Sequence, residues 1–222
     1  MFKRILNKKL KTMKGINTDF RKGSIKNEDI IFVFLETKQY LCYIKAGTIE
    51  EKTMKATDIS SFFITKGVTP LKLQKLLFYS QVWYFIKHGK LLFNDEIQAW
   101  VLGPVVPNVW DKFRFIRRGD VINRRYIQKE IADSQVVNHL NEVWRVYGSY
   151  TGLELVDLTH DEKLWIDARG GIPDGQSSRA TIVINDETTA YLRLDEQGNI
   201  PQVDKKVKGI AEFSGNVGEE LF

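Results

Sequence analysis

Apolar and polar residues follow two different patterns along the chain. Before residue 50, two β-rich runs at 30–35 and 40–45 are separated by four polar residues, which predicts a hairpin. From Ala56 onward, apolar residues recur at helical spacing. The fold class is therefore predicted to be mainly α (α+β), with a compact helical domain, a small β element and an amino-terminal extension.

The strongest helical signal follows Thr69. This residue can cap a helix in which Pro70 occupies the first position, and Gly89 ends it. Apolar residues cover most of its circumference, so we expect it at the centre of the domain. A preceding helix, capped by Thr57 or Asp58, is predicted to run through Ile64. Further helices are predicted at 2–14, 107–116, 127–147, 152–158, 161–168 and 185–194.

Composition shifts divide the chain into three parts. Residues 1–53 form the extension, 54–195 the helical domain, and 196–222 a tail rich in glycine and charge. We expect the tail to be poorly ordered or to dock on a partner.

Charge is unevenly distributed between these parts. Residues 1–55 hold 13 Lys and Arg against 6 Asp and Glu, which leaves 20 against 22 for 56–222. The count assigns the basicity to the amino-terminal segment. A basic segment favours an acidic partner, whether nucleic acid, a membrane surface or a protein, although a solvated tail fits equally well.

The residues present argue against metal-binding, nucleophilic and phosphate-loop enzymes. Cys42 is the single cysteine, the three histidines are far apart, and neither a metal-binding motif nor a nucleophile motif occurs. Gly170, Gly175 and Ser177 match the frame of a phosphate-binding loop without its lysine. We therefore expect no enzyme activity and no cofactor. Without a membrane-length apolar run or an export signal, we expect a cytoplasmic protein.

The stretch "EIQAWVLGPVVPNVW" carries two of the five tryptophans. A short strand at 98–102 is predicted to be broken by Gly103-Pro104, and Pro107 then begins a helix. Trp100 and Trp110 fit either the core or a binding hot spot. In "LTHDEKLWIDARG", Thr159 and Glu162 predict a capping box, and Trp165 and Arg169 share a helical face on which they can stack.

Together, "TPLKLQKLLFY", "AW", "GPVVP" and "LTHDEKLWIDARGG" occur in an order and spacing that resemble the Panacea domain of SocA-like and GepA-like antitoxins. The resemblance covers about residues 54–195. It implies a mainly helical domain with a small β element, found in prophages and toxin–antitoxin loci. It also implies that the chain binds and neutralises a protein toxin encoded by an adjacent gene.

Toxin contact is predicted for a set of exposed or motif residues. The candidates are Trp100, Trp110, Lys72, Gln74, His160, Trp165, Arg169, Tyr40 and Tyr43. Trp110 is the stronger contact candidate, whereas Trp100 and the Gly103-Pro104 corner are expected to act mainly as scaffold.

A different class of function stays open at this point. Aromatic residues such as Tyr40 and Tyr43 are interleaved with the lysines of the extension, as in many nucleic-acid-binding segments. The alternative is therefore a DNA-binding autoregulator or another phage-encoded regulatory protein.

Overall fold

The computed structural model describes residues 31–32, 43–45, 48–50, 54–117, 119–173 and 175–203. The chain divides into two units, Met1–Lys52 and Thr53–Phe222. The helix predicted at 2–14 lies outside the described residues.

The first unit contains three short antiparallel strands. Strand β1 (Ile31–Phe32) pairs with β2 (Tyr43–Lys45), and β2 pairs with β3 (Thr48–Glu50). The first pairing joins the two β runs of the predicted hairpin. Strand β3 is too short for its alternation to be visible in the sequence.

In the second unit, helix α1 (Ala56–Thr65) begins at least two residues earlier than the sequence predicts. Its N-cap is Lys55, so the prediction of Thr57 or Asp58 at this position is wrong. The Ala56 N–H donates instead to the carboxylate of Asp95 at 2.8 Å. Asp95, which is distant in sequence, thus accepts a hydrogen bond from a first-turn N–H group of a helix that no local side chain caps.

Helix α2 (Pro70–His88) is the predicted central helix. The Lys72 N–H donates to the Thr69 hydroxyl at 3.3 Å, and Gly89 ends the helix in the left-handed conformation. Every residue from 73 to 84 is buried. Helices packed around α2 on several sides cause this burial, because α2 contacts α1 and the later helices of the domain.

A β-hairpin follows α2 and confirms the small β element of the prediction. Strand β4 (Gln98–Trp100) pairs antiparallel with β5 (Gly103–Val105), and Trp100 lies opposite Gly103. The predicted strand at 98–102 therefore ends at Trp100, and Gly103 and Pro104, which the sequence predicts only as a break in it, belong to a second strand. The Ala99 N–H donates to the Ala180 carbonyl at 2.8 Å, which adds the chain near residue 181 to the other edge of β4.

Helix α3 (Pro107–Phe113) and a 3₁₀ turn (Arg124–Tyr126) lead to helix α4 (Ser134–Tyr147). The helix predicted at 127–147 is therefore wrong in its first part. Asp133 caps α4, because its carboxylate accepts from the N–H groups of Gln135 (2.8 Å) and Val136 (3.3 Å). The apolar periodicity continues upstream, but the aspartate stabilises the start at Ser134.

Helices α5 (Gly152–His160) and α6 (Lys163–Arg169) complete the bundle. The capping box predicted at Thr159 and Glu162 is wrong, because Thr159 lies inside α5 and Glu162 makes no side-chain capping bond. A capping box is present at the start of α5, where Thr151 and Glu154 bond reciprocally.

Beyond α6, the helix predicted at 185–194 is also wrong. Successive turns occupy this segment, and the Asn185 side chain accepts from the Thr188 N–H at 2.9 Å. Farther on, Ile200 is buried, and its N–H donates to the Glu142 carboxylate at 2.6 Å. The chain at the start of the predicted tail therefore packs against α4, and residues 204–222 lie outside the description.

Candidate functional site

One face of the β4 hairpin is polar and partly exposed. Side chains alternate across a strand, so Gln98 and Trp100 share this face, while Ala99 and Ile97 point into the core. Thr181 lies opposite Gln98 on the neighbouring segment, which places Arg179 beside Trp100.

Helix α3 contributes the second wall of the site. Pro107, Trp110 and Arg114 are spaced by three and four residues and therefore share a helical face. The rings of Trp100 and Trp110 meet edge to face, with their centroids 5.2 Å apart. Between the two walls lies an open cleft of about 620 Å³. Its lining consists of Gln98, Trp100, Pro107, Trp110, Asp111, Arg114, Ser177 and Arg179.

Two arginines stack on the two tryptophans. The guanidinium carbon of Arg114 lies 5.3 Å from the centroid of Trp110, and that of Arg179 lies 5.9 Å from the centroid of Trp100. Both distances permit a cation–π interaction. The cleft thus presents aromatic surface and positive charge together.

The indole N–H of Trp110 is buried and has no hydrogen-bond partner within the described part of the chain. An unsatisfied buried donor costs about 1–3 kcal/mol. The position of this ring therefore depends on its packing against Trp100 and Arg114 rather than on a hydrogen bond.

A stack of side chains lies behind the cleft and supports β4. The rings of His160 and Trp165 are parallel with their centroids 4.2 Å apart, and Arg169 lies 4.9 Å from the Trp165 ring. Stacking of Trp165 and Arg169 confirms the geometry predicted from their spacing. The Trp165 indole donates to the Trp100 carbonyl at 2.9 Å, so this layer holds the backbone of a cleft residue.

Arg169 also fixes the loop that forms the far wall. Its guanidinium donates to the carbonyls of Ala99 (3.3 Å), Pro173 (2.8 Å) and Gln176 (2.8 Å). The residue is buried, with 3% of its surface exposed. His160, Trp165 and Arg169 consequently position the cleft from behind and do not line it.

The remaining sequence candidates lie elsewhere. Lys72 donates to the Gly148 carbonyl at 2.7 Å, and burial lowers its pKa while nearby Glu154 raises it in part. Gln74 is buried and accepts from the Val106 N–H at 2.8 Å, which ties β5 to α2. Tyr43 is described through its strand pairing alone, and Tyr40 lies outside the described residues.

A buried lysine supports the hairpin from the core. The Lys75 amine is fully buried and donates to the Pro104 carbonyl at 2.9 Å. Burial lowers the pKa of this amine well below its usual value, because a charged ammonium loses its hydration there. A Cβ atom on Gly103 would lie 2.9 Å from the same nitrogen and 2.5 Å from the Thr159 hydroxyl.

The described residues contain no group of three or more His, Cys, Asp or Glu side chains that could hold a metal ion. Within the same residues, no helix is both long and apolar enough to cross a membrane.

The predicted contact residues include Trp100 and Trp110 but neither of the two arginines that line the cleft, Arg114 and Arg179. Arg114 carried a signal, because it follows Trp110 by one helical turn. Arg179 carried none, since it reaches the cleft through a strand pairing that joins distant parts of the chain.

These observations define a mainly helical domain with a small antiparallel sheet, which presents an open cleft of tryptophan and arginine. Residues 73–166 match the model of the family described as "Antitoxin SocA-like, Panacea domain". The resemblance predicted from the sequence motifs is thereby confirmed over this range. The match includes Trp100, Trp110, Arg114 and Trp165, whereas Arg169 and Arg179 lie beyond it. No curated protein and no solved structure matches the chain.

Proposed function

We propose that the protein is an antitoxin that neutralises a protein toxin encoded by an adjacent gene through direct contact in the cytoplasm. The observation that carries the proposal is the match of residues 73–166 to the antitoxin-like Panacea family. In this proposal the chain acts by binding and catalyses no reaction.

The cleft supplies a contact surface for such binding. Trp100 and Trp110 are half-buried, contact each other edge to face and line an open cleft. Tryptophan and arginine dominate binding hot spots, because each offers a large contact area together with polar groups of fixed geometry. The buried stack behind β4 keeps this surface rigid before a partner arrives, which reduces the ordering cost of association.

Co-expression with the adjacent gene tests the proposal. The full chain is expected to restore growth that the toxin arrests and to co-purify with it. A copy of the gene with an early stop codon serves as the control, because it retains the transcript and loses the protein. Growth rescue by the stop-codon copy, or the absence of both rescue and a complex with the full chain, would contradict the proposal.

A further inference from the structure

The helical domain contains a concentration of positive charge that its overall balance conceals. Residues 112–129 hold seven Lys and Arg against one acidic residue, Asp120, so the rest of 56–222 holds 13 against 21. The net basic excess belongs to residues 1–55, but the helical domain also holds this local basic segment. The seven cations are Lys112, Arg114, Arg117, Arg118, Arg124, Arg125 and Lys129.

Arg114 links this basic segment to the cleft. Its side chain lines the cleft from α3, and Arg179 lines it from the loop after α6. The guanidinium carbons of Arg114 and Arg179 lie 5.3 Å and 5.9 Å from the centroids of Trp110 and Trp100. A cation–π contact uses none of the N–H donors of a guanidinium, so these donors can still bond to an acceptor.

The charge of both arginines is available to a partner. The Nε atom of Arg114 lies 3.9 Å from Oδ1 of Asp111, but the two side chains are 60% and 64% exposed. An ion pair this exposed contributes little and is readily exchanged. Within the described residues, Arg179 forms no ion pair, and its guanidinium lies over the Trp100 ring.

We infer that the cleft binds an acidic segment of the toxin, with Arg114 and Arg179 donating to its carboxylates beside the tryptophan pair. The inference rests on the proposed function and adds the chemistry of the partner. A carboxylate matches the planar guanidinium fork and can accept two parallel hydrogen bonds from it. A cleft of about 620 Å³ has room for a short segment of chain.

The surrounding charge favours an acidic protein segment over a nucleic acid. Outside 112–129, residues 56–222 carry eight more acidic than basic residues. A long polyanion would meet repulsion outside the basic segment, because its phosphates continue at regular spacing. A short acidic segment meets the two arginines without this penalty.

Binding of the full chain to the co-expressed toxin tests the inference. The double variant Arg114→Gln/Arg179→Gln is compared with Arg193→Gln, which removes an exposed arginine that does not line the cleft. We expect the double variant to bind at least about tenfold more weakly, because hydrogen bonds between charged groups are lost. We also expect its affinity to fall less with added salt than that of the wild type. Arg193→Gln is expected to leave both quantities unchanged.

The outcomes separate the inference from the proposed function. If all three proteins bind the toxin equally, the acidic-segment inference is overturned while the antitoxin proposal stands. If the wild type does not bind, both are overturned. If the double variant retains toxin binding but loses binding to duplex DNA, the cleft recognises phosphate and the inference is likewise overturned. An unchanged melting temperature of the double variant shows that folding does not account for its loss of affinity.

Discussion

At the scale of single residues, Gly103 shows how the domain core and the cleft constrain each other. Its φ of 89° lies in the left-handed region, and any Cβ atom would collide with Thr159 and Lys75. The hairpin can therefore turn closely over α2 and α5. This close approach places Trp100, which lies opposite Gly103, at the cleft.

His139 supplies a prediction about acid stability. It is buried between α2 and α4, and its Nε2 lies 2.9 Å from the Ser80 carbonyl oxygen. Burial lowers its pKa to about 4. The charges of Lys87 and His88 act in the same direction, while the Ser80 carbonyl and Glu142 oppose it. The unfolded chain therefore takes up a proton near pH 6.5 that the folded protein binds only near pH 4, and stability falls as the pH drops through this window.

Between pH 7 and pH 4.5, His139 is expected to account for about 2–3 kcal/mol of lost unfolding free energy. Urea denaturation of the wild type and of His139→Gln at the two pH values measures this contribution. Glutamine can still bond the Ser80 carbonyl but does not titrate. Glu142 also contributes to acid sensitivity: burial raises its pKa, but the hydrogen bonds from Lys87 and Ile200, together with nearby positive charge, lower it overall. An equal loss of stability in both proteins would show that His139 is not responsible.

At the scale of elements, the Thr-x-x-Glu pattern shows what the sequence could predict. It occurs at 151–154 and at 159–162, and a capping box forms at the first position alone. Thr159 lies in the last turn of α5, where it is buried beneath the hairpin and donates to the Val156 carbonyl at 3.0 Å. Local sequence identifies a possible cap, but packing against distant segments decides which one forms.

At the end of α6, the Arg169 guanidinium holds β4 and the following loop together through the carbonyls of Ala99, Pro173 and Gln176. Lysine retains its charge but lacks the planar fork, so it cannot serve the carbonyls of β4 and of the loop together. Arg169→Lys is expected to lower the unfolding free energy by about 2–3 kcal/mol. It should also speed amide exchange at Ala99 and Ile182, whose N–H groups join β4 to the chain near Thr181.

Arg145→Lys is the matched control for this change. Arg145 is exposed and donates to a single carbonyl, that of Ile200, at 3.2 Å. Its replacement is expected to alter stability by less than about 0.5 kcal/mol. Amide exchange at Ala99 and Ile182 that is no faster in Arg169→Lys than in Arg145→Lys would show that Arg169 does not hold β4 in place.

At the scale of the whole molecule, the sequence predicts the central helix, the helical class and the stacking of Trp165 on Arg169. These features depend on local spacing and capping, which a single sequence displays. The cleft depends on a strand pairing between segments distant in sequence, and no periodicity reveals that Arg179 meets Trp100. Charge summed over long segments likewise conceals the basic run at 112–129.

We propose that the tryptophan cleft is the surface that contacts the toxin. Calorimetric titration of purified toxin into the full chain measures the contribution of this surface to binding. The variants are Trp110→Ala and, as a control, Ile166→Ala, which truncates an apolar residue that is 49% exposed and lies outside the cleft. We expect Trp110→Ala to weaken binding by about 30-fold or more, as for a hot-spot tryptophan, with an unchanged melting temperature. Ile166→Ala should bind like the wild type. Wild-type affinity in Trp110→Ala would contradict the claim.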